Sequence, residues 1–186
     1  EGVEAVAVVH DAGDLVVAPG ELPRGREDRI GLTRGHHATL GGIADGVFLG
    51  GYETSASMLA LGTYLVSQHP EAMELLRGDD DSVDRVVEEL LRHLTVVQLA
   101  FVRFARDDMM VGTQQVKAGD VLGISLLGAN RDPRLTPDAD TFDPTREPTR
   151  HLAFGHGLHR CVGAELARME LRIALRGLAT RFPDLQ

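Results

Sequence analysis

Ten residues near the C-terminal end constrain this chain more than any other feature. They contain the single cysteine of the 186-residue sequence. Glycine reaches backbone dihedral angles that other residues avoid, so the two loop glycines predict a backbone that can pass close to a flat ligand. A helical pattern follows, and a thiolate near a helix N-terminus is stabilised by the helix dipole and the free N–H groups. In order, the ten residues are Phe154, Gly155, His156, Gly157, Leu158, His159, Arg160, Cys161, Val162 and Gly163.

Two other interpretations of the cysteine stay open. A lone cysteine is often an inert, buried apolar side chain. Cys161 could also bind zinc together with His156 and His159, but structural zinc usually has four ligands, and the sequence has no second cysteine. One cysteine also excludes an internal disulfide. The fixed spacing favours the interpretation of Cys161 as a cofactor ligand.

The pattern Phe-Gly-x-Gly-x-His-x-Cys-x-Gly resembles the heme-thiolate loop of the cytochromes P450, where a cysteine thiolate is the axial ligand of heme iron. The resemblance implies heme b as the cofactor, Cys161 as its iron ligand, and a hydrogen bond from His159 to a heme propionate. It also implies that Arg103 reaches the other propionate, a role that suits a planar guanidinium. Without the resemblance, Arg103 is interpreted as a surface arginine on a strand edge. Further cofactor contacts are implied for Phe154, Gly155, Gly157 and Gly163.

A long apolar segment over 38–68 predicts a buried helix, far longer than the average of about 11–12 residues. Asp45 and Glu53 argue against a membrane span. The segment contains several glycines, each unfavourable by up to roughly 1 kcal/mol relative to alanine in a helix. Tight helix–helix packing is the interpretation we favour for three of them, which are Gly41, Gly42 and Gly46.

The sequence Gly50-Gly51-Tyr52-Glu53-Thr54-Ser55 resembles the P450 oxygen-binding motif. The resemblance implies that Gly50 and Gly51 leave room for dioxygen and that Glu53 and Thr54 form an acid–alcohol pair that relays protons. A hydroxyl in mid-helix can bond back to the carbonyl four residues earlier and open the turn. Taken alone, the same dipeptide would be interpreted as a solvated helix face.

Glu89 and Arg92 match the P450 Glu-x-x-Arg signature on a helix predicted over 83–95, and their spacing places both side chains on one face. The resemblance implies a third member, Arg146, from the proline-rich stretch 131–150 that corresponds to the family's meander. A buried Glu–Arg–Arg cluster would be structural and would fix the loop beneath the heme. The resemblance also places Val96 and Val97, with Tyr52, at the substrate pocket; the bare pattern predicts core positions for the two valines.

The formal net charge of −9 disfavours nucleic acid as a partner. Basic residues nevertheless surround the cysteine loop, and the resemblance implies that they dock an acidic, ferredoxin-type electron donor; scattered solvated charge is the alternative. We see no signal peptide and no membrane span in the sequence, which leads us to expect a cytoplasmic protein. The predicted basic surface consists of Arg150, His151, His156, Arg160 and Arg168.

The remaining patterns predict a mainly α fold with small β-sheets (α+β), the C-terminal part of a single P450 domain. Residues 1–37 are predicted as a loop and helix lead-in, with a helix end over 3–9. Pro70 begins a helix that reaches about Arg77, and Ser82 is predicted to cap the next one. Short strands are predicted over 102–105, 109–111, 114–116 and 121–126, the heme-thiolate loop over 154–163, and the last helix over 164–181.

Two functions from different classes are open. The first is a bacterial-type monooxygenase that inserts one atom of O2 into a C–H bond of a small organic substrate, with electrons from NAD(P)H through a reductase and ferredoxin. A peroxide-driven variant fits less well, because no Arg-Pro pair replaces Glu53-Thr54. The second is a truncated P450-like module that holds little or no heme and binds or activates another enzyme. The resemblance begins near residue 38 and covers under half of a P450. We therefore expect part of a longer protein, a piece of a cleaved chain or a natural half-length relative.

Overall fold

The structure, a computed structural model, describes residues 5–9, 15–19, 36–135 and 137–185. Most of these residues are helical, and the strands form small two-stranded sheets, which confirms the predicted mainly α fold. The helices are α1 (His36–Ser67), α2 (Pro70–Leu76), α3 (Asp80–Leu94), α4 (Leu126–Asn130) and α5 (Ala164–Arg181). The antiparallel strand pairs are β1 (Ala5–Val9) with β2 (Leu15–Pro19), β3 (Arg103–Phe104) with β6 (Val121–Leu122), and β4 (Met109–Val111) with β5 (Gln114–Val116).

The main core lies where α1, α2, α3 and α5 contact one another. Leu171, Leu175 and Ala179 form the buried stripe of α5, at a spacing of four residues. Full burial of each large aliphatic side chain contributes about 1.5–3 kcal/mol to stability, so the buried stripes of α5 and α3 fix how these two helices pack. The buried stripe of α3 consists of Val83, Val86, Val87, Leu90 and Leu91.

The long helix α1 has two unlike halves. Its C-terminal half buries Met58 and Val66 in the core. Every residue over 40–53 is exposed, so the prediction of a buried helix is wrong for this half in the described part of the chain. A Cβ built at Gly41, Gly42 or Gly46 meets nothing within 4 Å, so the described part of the chain does not show the predicted tight packing at these glycines. Among the described residues, no helix is both long and apolar enough to cross a membrane.

The helix end predicted over 3–9 is wrong, because residues 5–9 form strand β1. Valine side chains are branched at Cβ and favour strands, and the segment holds three of them. β1 pairs with β2 in an antiparallel register that places Ala5 opposite Pro19. Residues 20–35 of the predicted lead-in lie outside the described residues.

Two element boundaries also differ from the predictions. Helix α3 begins at Asp80 rather than at 83, because Asp79 and not Ser82 caps it: the Asp79 carboxylate accepts a hydrogen bond from the Ser82 N–H at 2.9 Å. The strand predicted over 121–126 ends at Leu122. Ser125 then caps α4 by accepting a hydrogen bond from the Gly128 N–H at 2.9 Å.

His93, near the C-terminal end of α3, is a half-buried titratable group. Its ring lies edge-on against Phe142, with 5.7 Å between ring centroids, and Arg131 donates a hydrogen bond to its carbonyl oxygen at 3.1 Å. Burial, together with the charges of Arg131 and Arg92, lowers the pKa of His93 to about 4. The folded protein therefore keeps this ring neutral at pH values where the unfolded chain protonates it.

We predict that the free energy of unfolding falls as the pH drops from about 7 towards about 5, because the unfolded chain binds a proton at His93 that the folded chain does not bind. The variant His93→Phe keeps the aromatic contact and cannot titrate, so its stability should depend less steeply on pH in this range. Urea denaturation at several pH values measures the slope. A slope in His93→Phe equal to that of the wild-type protein would contradict the prediction.

Candidate functional site

The cysteine loop is a compact turn closed by a backbone hydrogen bond. Gly155 has φ 69° and Gly157 has φ 72°, in the left-handed region that favours glycine. One turn of 3-10 helix runs over Gly157–His159. The Cys161 N–H then donates to the carbonyl oxygen of Phe154 at 2.9 Å, so the two ends of the pattern are tied together.

The loop presents its thiol at the surface. Cys161 is exposed, which argues against an inert core cysteine. Leu158, 95% exposed, and the fully exposed Val162 lie on either side of it in the sequence, so the loop also presents two apolar side chains to solvent. Gly163 caps α5, and a Cβ built there would lie 3.9 Å from the Cys161 sulfur. A free, exposed thiol on such a loop fits a flat, apolar cofactor with a central iron.

The zinc interpretation finds no support in the described part of the chain. There, no group of three or more histidine, cysteine, aspartate or glutamate side chains is placed to hold a metal ion. His156 and His159 are both exposed, on the same loop as Cys161. The described residues therefore offer no three-ligand site for zinc at this loop.

The structure brings Glu89, Arg92 and Arg146 into contact beside the core, as the sequence predicts. Arg92 donates to the two Glu89 carboxylate oxygens at 2.7 and 2.8 Å, and Arg146 donates to one of them at 3.3 Å. Arg92 also donates to the carbonyl oxygens of Asn130 at 2.8 Å and Ala139 at 2.7 Å. Both members of the Glu89–Arg92 pair are buried, so these bonds offset the cost of removing their charges from water.

Asn130 is a second polar anchor, which the sequence analysis missed. Its amide nitrogen donates to the Thr95 hydroxyl at 2.8 Å, and its amide oxygen accepts from the Leu152 N–H at 2.6 Å. Thr95 is the left-handed C-cap of α3, and Leu152 lies just before the cysteine loop. The sequence signal for Asn130 is weak, because a lone asparagine at the end of an apolar run has no characteristic spacing.

Glu88 binds two residues that the sequence analysis assigned to a basic surface. Arg168 donates to its carboxylate oxygens at 2.6 and 3.1 Å, and a His151 ring nitrogen lies 3.0 Å from one of them. Burial alone would raise the pKa of Glu88, but the hydrogen bonds from His151 and Arg168 outweigh it and lower that pKa to about 2. Glu88 is therefore a carboxylate at neutral pH.

The predicted basic surface is wrong for two of its five members. The His151 side chain is 3% exposed and that of Arg168 is 15% exposed, because both turn inward to Glu88. Arg150, His156 and Arg160 are exposed, and Arg160 lies 3.7 Å from Glu165. The cations that face solvent around the loop are thus fewer than the sequence suggests.

The acid–alcohol pair lies at the junction of the two halves of α1. The Thr54 hydroxyl donates to the Gly50 carbonyl oxygen at 2.6 Å, the back-bond expected for a mid-helix threonine, and Glu53 is exposed. A Cβ built at Gly50 or Gly51 meets nothing within 4 Å, so this helix face is open. The neighbouring Ser55 donates to Glu170 of α5 at 2.9 Å, which ties this turn of α1 to the helix that follows the cysteine.

The other predicted site residues lie on separate elements. Arg103 is exposed on β3, and its guanidinium donates to the Phe101 carbonyl oxygen at 3.0 Å. Val96 packs against the main core, and Val97 is exposed. Tyr52 lines an open groove between α1 and α5 that includes neither valine, so the structure does not bring the three predicted pocket residues together there.

Comparisons with known proteins agree with this geometry. The family model described as Cytochrome P450 matches residues 33–183. Cytochrome P450 165B3 of Amycolatopsis orientalis is 46% identical over 79% of this chain and 37% of its own length. Nocardicin C N-oxygenase of Nocardia uniformis subsp. tsuyamanensis is 45% identical over 75% of this chain and 35% of its own length.

Solved structures show the same relationship. OxyB from Actinoplanes teichomyceticus superposes with a TM-score of 0.75 at 45% identity, over 83% of this chain and 44% of that one. OxyC, described as a P450 implicated in oxidative C–C coupling in vancomycin biosynthesis, gives 0.74 at 44% identity, over 77% of this chain and 37% of that one. The chain belongs to the cytochrome P450 family, whose members bind heme b. It spans less than half the length of these relatives.

We predict that Arg92→Ala lowers the free energy of unfolding by roughly 3–5 kcal/mol, because it leaves the buried Glu89 without its bidentate partner. Arg85→Ala is the matched control on the same helix. Arg85 is partly exposed and lies 3.9 Å from Glu147, so its loss should cost no more than about 1 kcal/mol. Chemical denaturation measures both values, and equal losses in the two variants would contradict the prediction.

Proposed function

We propose that the protein containing this chain is a heme-thiolate monooxygenase. It inserts one atom of O2 into a C–H bond of a small organic substrate and receives electrons from NAD(P)H through a reductase and a ferredoxin-type donor. The observation that carries the proposal is the exposed Cys161 thiol, at the end of a glycine-shaped loop that a backbone hydrogen bond closes. Two relatives, Nocardicin C N-oxygenase and cytochrome P450 monooxygenase PikC, are named for oxygenase chemistry, which supports the proposal.

The cysteine loop and β3 hold the cofactor in this proposal. Heme bound through a thiolate supplies the activation of dioxygen. Cys161 binds the iron, and the left-handed glycines let the loop backbone lie close to the ring. The exposed His159 and Arg103 would hydrogen-bond the two propionates of the heme, a role that suits the planar guanidinium of Arg103.

The acid–alcohol pair on α1, Glu53 and Thr54, relays protons in this proposal. The Thr54 hydroxyl donates its own hydrogen to the Gly50 carbonyl, so its oxygen keeps lone pairs that can accept a hydrogen bond from a water molecule or a ligand. Glu53, one residue away and exposed, exchanges protons with solvent. Gly50 and Gly51 leave open space along the same helix, where a small ligand such as dioxygen fits.

The exposed basic residues at the loop serve the electron donor. Arg150, His156 and Arg160 face solvent around the cysteine, while the whole sequence carries a net charge of −9. A local excess of positive charge on an acidic protein favours an acidic partner at this face and makes the encounter sensitive to salt. This arrangement supports a ferredoxin-type protein as the donor.

The carbon monoxide difference spectrum of the dithionite-reduced, heme-loaded protein tests the proposal. We predict the red-shifted Soret band of a thiolate–CO complex in the wild-type protein and its loss in Cys161→Ser, because serine does not supply a thiolate. Leu158→Ala keeps the thiol and serves as a control for changes in the loop surface. A wild-type spectrum with only the shorter-wavelength band of a non-thiolate ligand would contradict the proposed function.

We predict that Thr54→Ala lowers the yield of hydroxylated product per NAD(P)H oxidised, because the variant loses the hydroxyl that positions a proton donor. The substrate in this experiment is any compound that perturbs the ferric Soret band on binding. The amounts of product and peroxide formed are compared with the amount of NAD(P)H oxidised. Thr63→Ala, a threonine farther along α1, is the control and should couple as wild type does. Unchanged coupling in Thr54→Ala would rule out the proton-relay role.

A further inference from the structure

The contacts around Glu88 reach the cysteine loop by two routes. The first runs through His151. Its Nδ1 accepts a hydrogen bond from the Ala153 N–H at 3.2 Å, so the ring proton is on Nε2, which lies 3.0 Å from the Glu88 carboxylate and donates to it. The His151 ring is thus held by a hydrogen bond at each of its two nitrogens. It lies 6.3 Å, centroid to centroid, from the Phe154 ring.

The second route runs through Arg168 on α5. Its guanidinium makes two hydrogen bonds to Glu88 and lies over the face of Phe154, with the guanidinium carbon 4.8 Å from the ring centroid. A cation held over an aromatic face in a partly desolvated place is attracted to it. Both routes therefore meet at Phe154, whose carbonyl oxygen accepts the Cys161 N–H bond.

Glu88 differs from the other acids on the same helix face. Asp80, Asp84 and Glu88 follow one another at a spacing of four on α3 and pair with Arg176, Arg172 and Arg168 on the antiparallel α5. We call these three pairs the charge ladder. The Arg176 and Arg172 side chains are 41% and 39% exposed, whereas Arg168 is 15% exposed. Only weak stabilisation is expected of the two exposed pairs.

We propose that Glu88 is a positioning residue for the Cys161 thiolate: it holds the loop through His151 and Arg168 and neutralises the Arg168 charge beside it. This inference rests on the proposed function. A positive charge near a redox centre favours its reduced state, and the effect is strong where burial limits solvent screening. Arg168 also donates to Glu165 at 2.9 Å, but the Glu165 side chain is 76% exposed and that of Glu88 is 19% exposed. Glu88 therefore keeps the reduction potential of the bound iron lower than it would be with Glu165 as the one carboxylate paired with Arg168.

The test compares Glu88→Gln with Asp84→Asn in the heme-loaded protein. Both variants remove one carboxylate charge from the ladder, but only the first acts on the loop. Glu88→Gln should shift the reduction potential to a more positive value and increase the share of the CO complex that lacks the thiolate band. Asp84→Asn should match wild type in both measurements. If the two variants give the same potential and the same CO spectrum, Glu88 serves helix packing alone and the proposal fails.

A double variant separates the effect of charge on the reduction potential from the effect of an altered side chain. It also keeps the proposal testable if Glu88→Gln folds poorly. Glu88→Gln combined with Arg168→Gln removes both charges, so its reduction potential should return towards the wild-type value. If the double variant has a reduction potential as positive as that of Glu88→Gln, the charge role assigned to Glu88 is wrong. If Glu88→Gln cannot be measured, a double-variant potential above the wild-type value overturns that role equally. The wild-type CO spectrum decides the proposed function independently: without a thiolate band in wild type, that function fails before any variant is compared.

Discussion

Two consecutive carboxylates on α3 determine where the cysteine loop lies. Neighbouring residues of an α-helix point about 100° apart, so Glu88 and Glu89 meet different partners. Glu89 binds Arg92 and Arg146 and thereby holds the stretch that precedes the loop. Glu88 binds His151, just before the loop, and Arg168, just after it. Helix α3, fixed in the core by its apolar stripe, therefore binds the segments that precede and follow the Cys161 loop.

Residues predicted to face the cofactor differ from residues predicted to be structural in their exposure. Glu89 and Arg92 are buried, whereas Cys161, His159 and Arg103 are exposed on two elements. Along α1, the large apolar side chains Leu40, Val47 and Phe48 are more than half exposed. The chain spans less than half the length of its relatives, so the exposure of these side chains applies to the described residues alone. Within them, the core of α1, α2, α3 and α5 is the base that carries the cysteine loop.

Sequence reasoning succeeded where local pattern and spacing decide the structure. The last helix was predicted over 164–181 and is observed there, and the loop glycines at 155 and 157 have the left-handed conformations that their pattern predicts. It failed at two places for different reasons. Asp79 and Ser82 are both suitable helix caps, so the sequence alone could not rank them. The valine-rich run favours a strand, and the helix end predicted there did not take this preference into account.

The interactions that sequence reasoning missed are long-range. Glu88 and Arg168 are 80 positions apart, and nothing in the local pattern distinguishes Glu88 from a solvated helix acid. Asn130 likewise binds Thr95 and Leu152, which are distant along the chain in opposite directions. For the same reason, His151 and Arg168 were interpreted as surface cations. A charge pattern shows how many cations lie near a motif, but only the packing of α3 against α5 shows which of them face inward.

The measurement that tests the central claim most directly is the resonance Raman spectrum of the ferric, heme-loaded protein grown with cysteine carrying a heavy sulfur isotope. Because Cys161 is the single cysteine of this sequence, the isotope labels one candidate ligand in it. The account predicts an iron–sulfur stretching band that moves to lower frequency with the heavy isotope and disappears in Cys161→Ser. A spectrum without an isotope-sensitive iron–sulfur band, or one that persists in Cys161→Ser, would contradict the assignment of the Cys161 loop as the heme-thiolate site.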